Sequence, residues 1–378
     1  MAKLSEICNI QSGGTPSRSC VEYWENGKIP WVKISDIKDK ELNQTEEFIT
    51  ELGVEKSSAK LFPKGTILYS IFATLGEVCI LNIDATTNQA IAGLQLTNES
   101  VLPDYLYYYL VSKKDFVNYI GRGVAQNNIN LKILRNMEIP IPNKEEQERI
   151  VLRLNKLNQC ISLRKQQLKK LDELVKSRFI EMFGDPVNNS EGLPELTLPE
   201  LGEFGRGVSK HRPRNDPKLL GGKYPLIQTG EVANSNLYIT EYESTYSELG
   251  FKQSKLWQKG TLCITIAANI AKTAILTFDA CFPDSVVGFK ANDKTNNIFI
   301  HYWFSFFQAI LEAQAPESAQ KNINLKTLSE LKIIVPPIDL QNEFATFVEQ
   351  TDKLKFEVKQ GLEKLEILKK ALMQEYFG

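Results

Sequence analysis

Leu61-Phe62-Pro63-Lys64-Gly65-Thr66 and Leu256-Trp257-Gln258-Lys259-Gly260-Thr261 are one phrase written twice, 195 residues apart. The same offset pairs Ile71 with Ile266, Ala73 with Ala268, Ile80 with Ile275, Asp84 with Asp279 and Gly93 with Gly288. One residue is then lost: Asn128-Ile129-Asn130-Leu131 meets Asn322-Ile323-Asn324-Leu325, and Gln147 meets Gln341, at an offset of 194. Register held over such a span means duplication, at a period far longer than a solenoid unit. Both copies close alike, on Met182-Phe183-Gly184 and Tyr376-Phe377-Gly378. Two copies of one unit can present two similar surfaces about an approximate two-fold axis, which suits a ligand with two half-sites.

Each copy reads as a mixed globular part followed by a long helix. Short apolar runs such as Thr66-Ile67-Leu68-Tyr69-Ser70-Ile71 alternate with Gly, Asn, Pro and Ser clusters, the pattern of strands and turns. A helix is expected at about Asp104–Ile120 and again at about Asn297–Ala313. Its aromatic residues (Tyr105, Tyr108, Tyr109; Phe299, Tyr302, Trp303, Phe306) are spaced for core packing rather than base stacking. Asn130 and Asn324 are placed to cap short helices, while Gly13, Gly65 and Gly260 fall at turns. Ile139-Pro140-Ile141-Pro142 and Ile334-Val335-Pro336-Pro337 end a strand and turn the chain into the long helix. Asn143, with Glu146 three positions on, caps the first long helix, and Asp339 is placed to cap the second.

The long helices carry a heptad seam. In the first it runs through Ile150, Leu154, Leu157, Ile161, Leu168, Leu171 and Val175, with Arg164, Arg178 and Met182 completing the template. In the second it runs through Phe344, Val348, Thr351, Lys355, Val358, Leu362, Leu365, Lys369, Leu372 and Tyr376. A lone helix would leave its seam in water, so each is expected to partner the other, antiparallel if the duplication is two-fold. At 1.5 Å per residue, Glu145–Phe183 makes a strut roughly 58 Å long. The fold class is α+β: two tandemly repeated mixed domains separated by two long helices that form an antiparallel coiled coil with pseudo-two-fold symmetry. The divisions are 1–143, first domain; 144–184, central helix; 185–197, linker; 198–337, second domain; and 338–378, terminal helix.

The chain has 378 residues, 42% of them apolar, enough for two ordinary cores. The start, Met1-Ala2-Lys3-Leu4-Ser5-Glu6, lacks a signal peptide's apolar run, and no apolar stretch is long enough to span a bilayer. A cytoplasmic location is expected. The six cysteines show no CxxC spacing and there are only two histidines, His211 and His301, so no metal site is expected. A Walker loop, an HExxH motif and the Asn/Asp-Pro-Pro-aromatic motif of amino-methyltransferases are all missing, and the first copy has no histidine. Glu46-Glu47 and Glu145-Glu146 read as a solvated turn and a helix start. No catalytic residue is assigned. Residues 1–184 carry a net charge of +2 and the remainder −3, whereas a self-sufficient DNA binder usually has a basic excess.

Ser12-Gly13-Gly14-Thr15-Pro16-Ser17, Tyr23-Trp24, Gly27-Lys28-Ile29-Pro30-Trp31, Asn88-Gln89-Ala90-Ile91-Ala92 and Glu145-Glu146-Gln147-Glu148-Arg149-Ile150-Val151, in that order, resemble the specificity subunits of type I restriction-modification systems. The second copy departs at Gly205-Arg206-Gly207-Val208-Ser209-Lys210, and Pro283-Asp284 stands where the first has Asn88-Gln89. The resemblance implies that each globular part is a target recognition domain reading one half of a bipartite DNA sequence, with the helices setting the unread gap. It also implies two docked methyltransferase subunits, joined by restriction subunits, with S-adenosylmethionine and ATP bound by those partners and no cofactor on this chain.

Direct readout needs Arg or Lys for guanine, Asn or Gln for adenine, and basic or hydroxyl side chains for phosphate. Loop residues of those types are Thr15, Ser17, Arg18, Lys33, Arg122, Gln126 and Asn127 in the first domain. In the second they are Lys210, His211, Arg212, Arg214, Gln228, Lys272, Gln320 and Lys321. The rival readings are a self-contained DNA methyltransferase or nuclease, opposed by the missing cofactor motifs, and a coiled-coil scaffold that does not bind DNA.

Overall fold

The computed structural model describes residues 1–121, 128–211, 213, 215–267, 269–314 and 323–378, the side chains of 312–314 excepted. It divides into two compact units, Met1–Lys165 with Gln360–Gly378, and Gln166–Lys359. Each unit therefore holds one globular domain, part of the central helix Lys144–Phe183 and part of the terminal helix Ile338–Phe377.

In unit 1 the strand Ala2–Lys3 pairs antiparallel with Glu138–Ile139, so the first residues of the domain are fastened to its last. The main sheet runs in the order Cys8–Ser12, Ile91–Leu96, Ile67–Ser70, Val78–Leu81, Glu41–Leu42, with only the last pair parallel. A smaller sheet joins Glu47–Ile49, Ile29–Val32 and Thr86–Thr87. Unit 2 repeats the main sheet as Gly202–Arg206, Val286–Ala291, Leu262–Thr265, Thr273–Leu276 and Tyr238–Ile239. It repeats the small one as Ser244–Tyr246, Leu220–Leu226, Ala280–Cys281 and Leu256–Trp257. The turns agree in detail. Gly65 and Gly260 take φ of +88° and +87°, where a Cβ would be strained. The Lys64 and Lys259 N–H groups each donate, at 2.8 Å, to Asp84 and Asp279.

The aromatic helices are core elements. Tyr105, Tyr108 and Tyr109 are each 1% exposed, and Phe299 and Trp303 are fully buried. The tyrosine hydroxyls are not wasted: Tyr105 and Tyr109 donate to the Pro140 and Glu138 carbonyls, and Tyr108 donates to Asn155 of the central helix at 2.6 Å. The helix expected over about Asp104–Ile120 is in fact two, Pro103–Ser112 and Lys114–Gly121. Lys113 between them relaxes to ψ +3° and spends its ammonium on the Phe377 carbonyl. Its counterpart Asn297–Gln314 is unbroken.

Asn143 caps the central helix, accepting from the Glu146 N–H at 2.9 Å, but Glu146 pairs with Arg149 instead of reaching back. The terminal helix begins at Ile338, so Asp339 lies inside its first turn rather than at the cap. Within each unit the two long helices run antiparallel. In unit 1 Arg153 donates to Tyr376 and Lys165 pairs with Glu366; in unit 2 Asp172 pairs with Lys355 and Arg178 with Glu343.

The seam is partitioned between helix partner and domain. Ile150 and Leu154 pack into the core of unit 1, and Val175 and Val348 into that of unit 2. Leu157, Ile161 and Val358 are buried, whereas Leu168, Leu171, Leu362, Leu365 and Leu372 are half-buried. The template fails at Arg178 and Met182. Phe179 and Phe183, one residue on, are the buried positions, and Phe179 meets Phe183, Phe299, Phe306 and Phe344 at ring-centroid distances of 5.0–5.4 Å. Docking a domain follows the straight helix's 3.6-residue period, which drifts off a strict heptad.

Both helices are joined to their domains by one buried glutamine each. The Gln147 amide donates to the Ser100 and Pro142 carbonyls and accepts from the Leu102 N–H, at 2.8–2.9 Å. Gln341 does the same with Pro336, Lys294, Thr295 and Asn296. Replacing Gln147 by Met keeps the volume but strands three partly buried backbone groups. Where water can still reach the stranded groups each lost pairing costs on the order of 1 kcal/mol, so urea unfolding of the variant is expected to show a loss of about 1–3 kcal/mol.

Candidate nucleic-acid interface

Four of the first domain's loop candidates converge, and the reason is a loop closed from both sides. The Gly13 N–H donates to the Ile91 carbonyl at 3.0 Å and the Gly14 N–H to the Thr87 carbonyl at 2.9 Å. A Cβ on Gly13 would lie 2.3 Å from the Thr87 carbonyl oxygen, so only glycine allows this approach. The Trp31 indole then donates to the Gly14 carbonyl and the Trp24 indole to that of Ser17, and Thr15 hydrogen-bonds Gln89. The Gly-Gly-Thr-Pro-Ser and Asn-Gln-Ala stretches, distant in sequence, are thus one junction.

Arg18 leaves this junction against two aromatic rings, its guanidinium carbon 3.7 Å from the Trp24 centroid and 4.9 Å from that of Trp31. It reaches Glu47 at 2.6 Å, and Lys33 reaches Glu47 at 2.9 Å and Glu46 at 3.2 Å. The hydrogen bonds from Arg18, then Lys33, hold the Glu47 carboxyl below its usual range. The hydrogen bonds that Lys33 donates to Glu47, then Glu46, raise its ammonium above its own usual range. Ser17 and Arg18 are exposed, with Thr15 and Lys33 half-exposed. The surface is therefore a charged, nearly self-neutralised patch on a rigid aromatic base.

Sequence reasoning missed Glu47, Trp24 and Trp31 as parts of this surface. Glu46-Glu47 was expected in a solvated turn, yet Glu47 opens a strand and pairs in register with Trp31. Strand register is not legible from an isolated acidic pair.

In the second domain the candidates are more dispersed. The side-chain oxygen of Gln253 accepts from the backbone N–H groups of both Lys210 and His211, at 2.6 and 2.8 Å, and orders that loop. His211 also meets Asp216 at 3.1 Å. Gln228 is exposed at the start of the helix Thr229–Asn234, and Lys272 is half-exposed at the tip of the Leu262–Thr265 hairpin. Arg122, Gln126, Asn127, Arg212, Arg214, Gln320 and Lys321 lie outside the described residues. A groove of about 1030 Å³ in unit 1, between Tyr109, Met137, Lys369 and Met373, has none of the candidate contacts on its wall. Among the described residues no cluster of His, Cys, Asp and Glu could hold a metal ion, and no helix is long and apolar enough to cross a membrane.

Two similar domains, each with a hydrogen-bonding surface on an ordered loop and each fastened to a pair of long helices, define a duplicated recognition chain. The family model described as the type I restriction modification DNA specificity domain matches it twice, over residues 1–173 and 195–367. The chain belongs to that family. It is 33% identical over 196 residues to the type I restriction enzyme MjaIX specificity subunit of Methanocaldococcus jannaschii, covering 50% of this chain and 45% of that relative. A type I restriction enzyme specificity subunit of Escherichia coli is 34% identical over 161 residues, 41% of this chain and 40% of its own length. The matched stretch thus spans less than half of either relative. The EcoprrI specificity subunit of Escherichia coli is 25% identical over 372 residues, 93% of this chain and 87% of its own.

Two solved structures share the fold. One is from a study of complex assembly and conformational transition of the type I restriction-modification system, with a TM-score of 0.63 and 18% identity, covering 100% of this chain and 96% of the other. The other is a type I restriction-modification system S subunit from M. genitalium, with a TM-score of 0.56 and 16% identity, covering 100% and 95%.

The junction yields a direct test. Gly13→Ala forces the Thr87 strand away from the loop, and overpacking of this kind costs about 1–3 kcal/mol. Thermal unfolding is expected to show a lowered midpoint, with Gly65→Ala, which meets no neighbouring atom but takes a strained φ, as the comparison.

Proposed function

We propose that this chain is the sequence-reading, non-catalytic subunit of a type I restriction-modification complex. Each domain reads one half of a bipartite duplex target, and the antiparallel helices set the unread gap between the halves. The observation that carries this is internal: two domains share sheets, turns and glutamine clamps, yet expose different hydrogen-bonding groups. That is what two different half-sites require. S-adenosylmethionine and ATP are taken to be bound by methyltransferase and restriction partners.

Charge supports the need for partners. Phosphate neutralisation supplies most sequence-independent affinity, and this chain is net −1 with Arg18 and Lys33 already paired to its own carboxylates. Other subunits then contribute much of the grip on the backbone.

The long helices support a docking role, because apolar side chains remain on their outer faces. In unit 1 Leu152, Leu163, Ile367 and Leu368 are 48–63% exposed, and in unit 2 Leu174, Leu354 and Phe356 are 48–62% exposed. Exposed apolar residues on otherwise charged helices suit burial against another protein.

Exchanging residues 198–337 for the corresponding domain of another family member is expected to change one half of the methylated sequence and leave the other intact. Sequencing of modified genomic DNA reads this directly, and a change in both halves contradicts independent reading. Leu163→Asp with Ile367→Asp is expected to leave the unfolding midpoint within a degree or two while abolishing co-purification with the methyltransferase subunit. Undiminished co-purification removes this face from the docking site.

A further inference from the structure

The duplication supplies a control that a single domain cannot, because the two copies separate frame from surface. Strand Ile29–Val32 corresponds to the end of Leu220–Leu226, with Lys28, Pro30 and Trp31 matched by Lys223, Pro225 and Leu226. Each pairs antiparallel with a short strand, Trp31 opposite Glu47 and Leu226 opposite Ser244. The frame behind them is the same. Thr50 and Ser247 cap the helices Glu51–Glu55 and Glu248–Lys252, and their hydroxyls donate to the Glu22 and Lys218 carbonyls at 2.8 and 2.7 Å. Gly53 and Gly250 press on the Tyr23 and Leu219 carbonyls, where a Cβ would lie 2.8 and 2.3 Å away.

Two residues beyond Trp31 and Leu226 stand Lys33 and Gln228. Each N–H is held by the acid three positions on, Asp36 at 2.7 Å and Glu231 at 3.2 Å, so the backbone is fixed alike in both domains. The side chains differ in kind, an ammonium in one and an amide in the other. The facing position differs with them: Glu47 in one, Ser244 in the other. A retained frame carrying a chemically switched, solvent-reaching pair is what two domains reading different bases would vary.

We infer that positions 33 and 228 are the equivalent base-reading positions of the two domains, positioned from positions 47 and 244. Lys33 takes a guanine edge, and Gln228 takes an adenine edge through its paired donor and acceptor. Glu46 and Glu47 occupy two of the three ammonium donors of Lys33 and leave one for a base. Ser244, short and neutral, stands in the strand position where the first domain has Glu47, and brings no charge there. Glu47 also draws Arg18 onto the aromatic base, so the first domain meets a wrong base with a carboxylate as well as with a missing acceptor. This assignment rests on the half-site reading above.

The test uses the full chain, co-produced with a methyltransferase subunit that supports modification, with methylated motifs read by sequencing. The first variant, Lys33→Gln with Glu47→Ser, transplants the second domain's pair into the first. The reciprocal variant is Gln228→Lys with Ser244→Glu. The first is expected to change one G·C pair to A·T in one half-site, with the other half-site unchanged. Preference for the old base pair should fall by roughly 5-fold, the low end for a base contact, because a single ammonium donor makes it. The reciprocal variant is expected to convert one A·T pair to G·C in the other half-site.

The unchanged half-site reports that the complex has assembled, and if one variant modifies nothing, the other decides by the same criterion. Wild-type motifs from either active variant, or substitutions of another kind, overturn the assignment while leaving the half-site reading intact. A wild-type complex that methylates no split motif overturns the half-site reading itself.

Discussion

A fully buried side-chain amide at the start of each long helix is the constraint on which the rest depends. Gln147 and Gln341 are 0% exposed, and an unpaired amide in such a place would cost several kcal/mol. Each is satisfied only when the helix start, the proline-ended strand before it and the loop leading into the aromatic helix are all in position. Gln147 binds the Pro142 carbonyl on one side and Ser100 and Leu102 on the other, about 45 residues upstream. Hydrophobic contact alone tolerates sliding, whereas a three-bond amide clamp does not. The domain and its helix consequently behave as one body inside each unit, and Tyr108 on Asn155 extends that union a helical turn or two further.

Rigid attachment gives the exposed loops a fixed reference, which is what a sequence-reading surface on a nearly neutral chain would need. Affinity from phosphate charge is indifferent to bases, and specificity comes from geometry at base edges. Arg18 and Lys33 illustrate the division. Their charges are largely spent on Glu46 and Glu47, so they contribute little long-range attraction. A surface of this kind favours discrimination over grip.

Much of this was legible in the sequence because it depends on local rules. The helix caps at Asn130 and Asn324, the glycine turns at Gly65 and Gly260, and the aromatic helices as core all follow from spacing and backbone chemistry within a few residues. The duplication was legible because register survives divergence. Tertiary pairing was not. Nothing local announces that Glu47 lies opposite Trp31, that Lys113 breaks its helix, or that the seam passes from Arg178 and Met182 to Phe179 and Phe183. In the last case a heptad template was extended into a region where the helix faces a domain, and the straight helix's period takes over there.

The two helix pairs also differ in one respect that bears on how the strut keeps its register. Lys355, only 9% exposed, lies 2.8 Å from Asp172 and 3.5 Å from Asp352 in unit 2. Its counterpart at an offset of 194 is Ile161, buried in unit 1. Burial lifts the Asp352 carboxyl above its usual range despite the nearby ammonium, so the cluster does not add stability in proportion to its charge. What a buried polar group at one seam position does well is to exclude other registers, since a slipped helix would leave the ammonium unpaired. An apolar seam such as that around Ile161 tolerates a shift of one heptad more readily. Within unit 2 the polar cluster thus favours the one alignment in which the Lys355 ammonium is paired.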